Sequence, residues 1–136
     1  MFNSIDISGS GMAMAKKWME VSSNNIANMN TTRGSDGNPY RRQTVVLEER
    51  TKFENYLNKD VSAGVQIKEI ASDKSEDLVY NPDHPDAMQN GYVRMPQINL
   101  TAEMTNMLAA QRTYEANAST FSANKKMMDK ELEIGK

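Results

Sequence analysis

Two seven-residue repeats, one near each end of the chain, constrain its architecture more than any other feature. From Ile5, steps of three and four lead through Ser8, Met12, Ala15, Met19, Ser22, Ile26 and Met29, all apolar or small. Large and small side chains alternate until the last step, the pattern of a helical seam held over more than three heptads. Asn3 is placed to cap this helix, with Asp6 in its first turn. Gly9 and Gly11 oppose it, at roughly 1 kcal/mol each relative to Ala. Toward the other end Leu100, Met107, Tyr114, Phe121 and Met128 stand seven apart, with Met104, Gln111, Ala118, Lys125 and Leu132 as companions. Gln111 and Lys125 are polar, and polar seam residues fix register at some cost in stability. Pro96 precedes the segment, Asn99 suits the N-cap, Glu103 the first turn and Gly135 the far end. From Asn99 to Glu133 such a helix spans about 50 Å at 1.5 Å per residue.

Between these segments the period changes. Tyr40 to Leu47 is rich in β-branched and aromatic residues, Gly64 to Lys68 alternates, and Leu78-Val79-Tyr80 is a third short strand candidate. Gly34 to Pro39 reads as a turn-rich loop. Asn81 to Pro96 holds Pro82, Pro85, Pro96 and Gly91 and is expected to be an extended, irregular connector. The expected fold is α+β: long N- and C-terminal helices forming an antiparallel coiled coil, with a small β-rich lobe between them. The divisions are 1–33 for the first helix and an Asn-rich segment, 34–98 for the lobe and connector, and 99–136 for the second helix. Small residues at Ser8, Ala15 and Ser22 are suited to receive Met, Tyr and Phe from the partner helix. A helix pair leaves one stripe of each helix open, so self-association or assembly is expected.

Composition supports a chain that completes its burial in company. Six Leu, seven Ile, seven Val and three Phe in 136 residues fall short of the ~20% typical of well-cored domains. Eleven Met make up part of the deficit, and Met specifies a unique core weakly. A net charge of −2 and a pI near 5.4 give no electrostatic case for nucleic acid or an anionic membrane. Without Cys there is no disulfide frame and no thiolate nucleophile. Met1 to Ile7 lacks a basic region followed by a long apolar run, so no cleavable signal peptide is expected. No run approaches the ~18 apolar residues of a membrane span.

Catalytic patterns are missing from the sequence. The single His, His84, lies in Asn81-Pro82-Asp83-His84-Pro85-Asp86-Ala87. Asp83, His84 and Asp86 are possible metal ligands, but flanking prolines favour a rigid turn and a fourth ligand is lacking. Gly9-Ser10-Gly11 is too short for a phosphate cradle, and there is no nucleophile elbow, P-loop or paired-His zinc motif. Arg33, Arg41 and Arg42 form a basic cluster whose default reading is a solvated or ion-paired surface. Glu48-Glu49 and Glu131-Glu133 lie on faces expected to be exposed. No enzyme, cofactor, metal or small-molecule substrate is expected.

Specific strings add to this. Asn24 to Gly34, "NNIANMNTTRG", resembles the N-terminal signature of the bacterial flagellar rod, hook and hook-associated axial proteins. Gly37 to Gln43, "GNPYRRQ", is similar to the segment that follows in the rod members. His84 to Met104, "HPDAMQNGYVRMPQINLTAEM", resembles the stretch before the C-terminal helix of a proximal-rod protein, and Arg112 to Asn117, "RTYEAN", the motif within that helix. The signature positions are Asn24, Asn25, Asn28, Asn30, Thr31, His84, Pro85, Asp86, Gly91, Tyr92, Glu103, Met104, Arg112, Tyr114 and Asn117. Gln97 stands where the family more often has Asn, and Ala110-Gln111 where Ala-Ser is more usual.

The resemblance implies a structural subunit, exported unfolded by the flagellar type III apparatus without signal cleavage. It would assemble in the periplasm into the proximal rod that joins the membrane ring to the distal rod and transmits torque. Its neighbours would be sister rod proteins and copies of itself, with the terminal helices as an inner coiled-coil layer and the central segment facing outward. In this reading the Asn residues of 24–30 bond to neighbouring backbones within the polymer. Their poor helicity would suit a terminus that orders only when a neighbour supplies burial. Taken alone, the Asn run reads equally as a helix fraying into a turn. A rival from another class is a soluble coiled-coil adaptor or export chaperone. A metal-dependent enzyme built on His84 is a third, with nothing else in the sequence behind it.

Overall fold

Among the described residues the heptad-bearing ends form two long helices, α1 (Phe2–Ala27) and α2 (Leu100–Ile134), and the middle forms four strands: β1 (Gln43–Glu49), β2 (Val65–Ser72), β3 (Glu76–Tyr80) and β4 (Tyr92–Pro96). The class is α+β. The structure, a computed structural model, describes residues 2–50 and 63–135. Residues 51–62 of the expected central lobe lie outside the described residues.

Local chemistry accounts for three of the four ends of α1 and α2. The Asn99 side chain accepts from the Ala102 amide at 3.0 Å and caps α2, and the Gly135 amide returns to Glu131 O at 3.1 Å. At the end of α1, the Asn28 amide and its Nδ2 both donate to Asn24 O, at 3.1 and 2.9 Å, and Thr31 N donates to Asn28 O. Asn28 thus supplies backbone and side-chain donors to a carbonyl the helix leaves unpaired. Met29, the last position of the expected repeat, falls in this turn. Asn3 is not a cap: α1 begins at Phe2, which places Asn3 inside its first turn.

The helices lie side by side and run in opposite directions. Asn124 Nδ2 donates to Ser4 Oγ at 2.8 Å, Gly11 faces the Asn117 carboxamide, and Asn25 Nδ2 reaches Glu103 Oε2 at 3.2 Å. Seven residues along α1, from Ser4 to Gly11, match seven back along α2. The next fourteen, to Asn25, match fourteen back to Glu103. On α1 the fully buried positions of this contact are small or polar, namely Ser8, Gly11, Ala15, Ser22 and Asn25. Small side chains let helix axes approach closely. They also bury little apolar area, and apart from Pro39 and Pro96 the buried apolar side chains among the described residues are Ala15, Val21, Ala63, Val93 and Ala110.

β1 and β2 pair antiparallel with a bulge between Val46 and Leu47; β3 and β4 form a second antiparallel pair, Glu76 opposite Pro96 through Tyr80 opposite Tyr92. β4 corrects the expectation of an irregular connector over 81–96. Pro96 sits at the strand's end, where a missing N–H is tolerated, and Val93 is buried between exposed neighbours. The first sheet is tied to α1 at two places, where Ser10 Oγ accepts from Val65 N at 3.2 Å and Asn25 meets Gln43.

One turn occurs twice. In Gly34–Asn38 and Met88–Tyr92 the first residue's N–H donates to the fifth residue's carbonyl, at 2.8 and 2.9 Å. The fourth residue, Gly37 or Gly91, donates back to the first at 3.1 or 2.8 Å. The third, Asp36 or Asn90, accepts from the fifth residue's N–H at 3.1 or 3.2 Å. Both glycines have positive φ, 77° and 78°. Asx-Gly supplies this turn because Gly takes the left-handed conformation without steric cost.

Candidate assembly site

Asn25, Tyr40, Arg42, Gln43 and Glu103 bring α1, β1 and α2 to one polar junction. Asn25 Nδ2 donates to Gln43 O at 2.8 Å and to Glu103 Oε2 at 3.2 Å. Its Oδ1 accepts from Gln43 N at 2.9 Å and from the Tyr40 hydroxyl at 3.1 Å. The carboxamide therefore uses both donors and both acceptor positions. Glu103, 1% exposed, receives Arg42 in a fork: Nε at 2.8 Å and Nη2 at 2.7 Å, both to Oε1. No buried side-chain nitrogen or oxygen among the described residues lacks a partner. Burial, and next the negative charge of Glu103, pushes the Tyr40 phenol above its ordinary value of 10.0. A cavity of about 200 Å³ adjoins the junction, walled by Met14, Trp18, Val45 and Leu47.

Sequence reasoning missed this junction. Arg42 read as part of a solvated cluster, yet its partner lies 61 residues away. Its neighbours go elsewhere: Arg33 makes a long contact with Asp86 at 3.7 Å, and Arg41 is exposed. Only the acidic residue in the first turn of α2 hinted at a charge there.

Of the expected seam residues, Ile5, Met12, Met19, Ile26, Met107, Phe121 and Met128 are half-buried, while Leu100 and Tyr114 are each 39% exposed. The companion row on α2 differs by one residue from the expected one. Glu103, Ala110, Asn117 and Asn124 turn toward α1, whereas Met104, Gln111, Lys125 and Leu132 are exposed. Polar and small residues therefore occupy the most deeply buried positions of the contact between the two helices. Leu100, Met104, Leu108, Tyr114, Met127 and Leu132 are exposed apolar side chains of α2.

The remaining signature residues fall into four groups. Asn24, Asn30 and Arg112 are exposed, and Arg112 pairs with Glu115 one turn away. Asn28 and Thr31 close α1 as described, with Thr31 Oγ1 donating to Asn28 Oδ1 at 3.2 Å. His84, Pro85 and Asp86 build a turn in which His84 Nδ1 accepts from Asp86 N at 3.1 Å, and Asp86 Oδ2 accepts from Thr32 Oγ1 at 2.8 Å. Gly91 and Tyr92 close the second Asx-Gly turn, where the Tyr92 ring meets Tyr80 edge-on at 5.3 Å. Among the described residues no three His, Asp or Glu side chains are placed to hold a metal, and no helix is long and apolar enough to cross a membrane.

Two family models match the protein at its two ends: "Flagella basal body rod protein" over residues 5–33 and "Flagellar basal body rod FlgEFG protein C-terminal" over residues 89–134. The paired terminal helices thus carry the marks of flagellar basal-body rod subunits. Full-length relatives narrow the class. The chain is 39% identical to the flagellar basal-body rod protein FlgC of Bacillus subtilis, covering 99% of this chain and 98% of that one. It is 37% identical to FlgC of Borreliella burgdorferi, over 98% and 97%, and 37% identical to FlgC of Salmonella typhimurium, over 99% and 98%. The chain belongs to the FlgC family of flagellar basal-body rod proteins, a family of structural subunits.

Proposed function

We propose that this subunit builds the proximal rod. There it packs α1 and α2 as an antiparallel coiled coil in an inner layer and turns the segment 34–98 outward. Copies of itself and sister rod proteins cover its open helix faces, and the membrane ring and export apparatus are its further contacts. The rod so formed links the ring to the distal rod and transmits torque from its place in the periplasm, and the subunit arrives by type III export without signal cleavage. The observation that carries this reading is the inverted polarity of α2. Small and polar residues face α1, while Leu100, Met104, Leu108 and Tyr114 are exposed. Apolar rows left open on a long helix mark an interaction surface. The residues Ile5, Met12, Met19, Ile26, Met107, Phe121 and Met128 then serve both the internal seam and its neighbours.

Amide hydrogen exchange on dilute protein and on isolated basal bodies tests the proposal. Residues 1–30 and 100–136 are expected to exchange markedly faster in the dilute protein than in basal bodies. Equal protection of both termini in the two states would favour the adaptor. Tyr114→Asp supplies a genetic arm: it places a charge on the open face and is expected to abolish swimming while leaving the fold intact. Wild-type motility in that variant would count against the proposal.

A further inference from the structure

Every Asn in the sequence is followed by a residue that bears a side chain, except Asn90, which precedes Gly91. Asn90 is exposed and stands at the tip of the second five-residue turn. We propose that Asn90-Gly91 is a site of spontaneous deamidation that the closed turn holds in check, so that the modification accumulates while the β3–β4 hairpin is open.

The chemistry needs no co-reactant beyond water. The Gly91 amide nitrogen attacks Asn90 Cγ and a new C–N bond forms. The Cγ–Nδ2 bond of Asn90 breaks, and Nδ2 leaves as ammonia, carrying the proton lost from Gly91. Water then opens the cyclic succinimide at either carbonyl, leaving aspartate or isoaspartate. Glycine favours the first step because no side chain shields its amide and its backbone reaches the required conformations freely.

In the closed turn both reacting groups are engaged. The Gly91 N–H donates to Met88 O at 2.8 Å, and Asn90 Oδ1 accepts from Tyr92 N at 3.2 Å. Attack requires the first bond to break and the carboxamide to leave the second. The closure bonds Met88 N to Tyr92 O and Asn81 N to Gly91 O, each 2.9 Å, must loosen with them. The product also fits poorly. Isoaspartate adds a methylene to the backbone next to a glycine with φ of 78°, against which the Tyr80 ring lies so closely that a Cβ would come within 2.8 Å of it. The Tyr80–Tyr92 register of the hairpin would be lost. Asp36-Gly37 is the internal control: it has the same turn, but its carboxylate, held below the ordinary range by Asn38, is a poor electrophile.

The full-length protein is incubated in mildly alkaline buffer with and without denaturing urea, then mapped by peptide mass spectrometry and enzymatic isoaspartate methylation. In urea Asn90 is expected to convert before any other Asn. In native buffer its conversion is expected to be slower by roughly tenfold or more, reflecting the small open population. Gly91→Ala, examined in urea where folding does not matter, is expected to suppress the reaction. Equal rates with and without urea, or another Asn converting first in urea, would overturn the proposal.

Discussion

Asn25 meets the backbone of Gln43 as a neighbouring strand would, its Nδ2 2.8 Å from Gln43 O and its Oδ1 2.9 Å from Gln43 N. One side chain of α1 thereby occupies the first residue of β1, while the same carboxamide holds Glu103 of α2 and Tyr40. Asn25→Asp keeps the shape but replaces two donors with an acceptor facing Gln43 O and Glu103. The expected loss is about 2–3 kcal/mol, the cost of buried groups left unpaired. Asn24→Asp, one residue away and exposed, is expected to change stability by less than about 0.5 kcal/mol. Urea unfolding of the two variants checks the contrast, and equal midpoints would remove Asn25 from this role.

The Arg42–Glu103 pair makes a separate prediction. Arg42→Ala leaves a carboxylate buried with Asn25 Nδ2 as its remaining donor. Because the Arg42 side chain is partly exposed, water resolvates some of the charge, so a loss of about 2–3 kcal/mol is expected rather than the upper end for a buried pair. Raising salt should change this difference little, whereas any contribution from the exposed Arg112–Glu115 pair should fade. Denaturant curves at two ionic strengths decide it.

How much was legible in the sequence depended on whether the controlling interaction was local. The Asn99 cap and the Gly135 close act within one turn of α2 and were readable from residue type. The small residues Ser8, Ala15 and Ser22 were readable from spacing alone. The α2 companion row was not, because the apolar residues Met104 and Leu132 pointed to the wrong column. Glu103 and Asn124 face α1 through bonds whose partners lie far away in the sequence, and Asn117 lies against Gly11. β4 was masked by the prolines around it, and Arg42 by its two basic neighbours. The seam and signature positions came from heptad spacing and family strings, so whether they act in assembly rests on the experiments proposed above.

Gly9 and Gly11 should behave oppositely. A Cβ at Gly9 meets nothing within 4 Å, so Gly9→Ala should gain about 0.5–1 kcal/mol from helix propensity. At Gly11 a Cβ would fall 2.7–2.8 Å from the Asn117 carboxamide, whose Nδ2 is bonded to Thr113 O at 2.8 Å. Gly11→Ala must displace that side chain and is expected to cost about 1 kcal/mol net. Adding Asn117→Ala should recover most of the loss. If Gly11→Ala stabilises as much as Gly9→Ala, the close approach of the helices at this level is wrong.

Tyr40 gives the junction a pH signature. Its phenol is raised above 10.0 by burial and by the charge of Glu103, so the folded state holds the proton more tightly than the unfolded state does. The corresponding stability is complete below pH 10.0 and is lost as pH rises through the folded value. Ionisation also removes the hydrogen donated to Asn25 Oδ1 and sets a second negative charge near Glu103. Tyr40→Phe should start less stable at neutral pH, because Asn25 loses a partner, and should decline less steeply in alkali. The informative quantity is the difference between wild type and Tyr40→Phe in urea midpoint across alkaline pH. That difference should shrink as the phenol ionises; a constant difference would mean that the Tyr40 proton is held no more tightly in the folded protein than in the unfolded one.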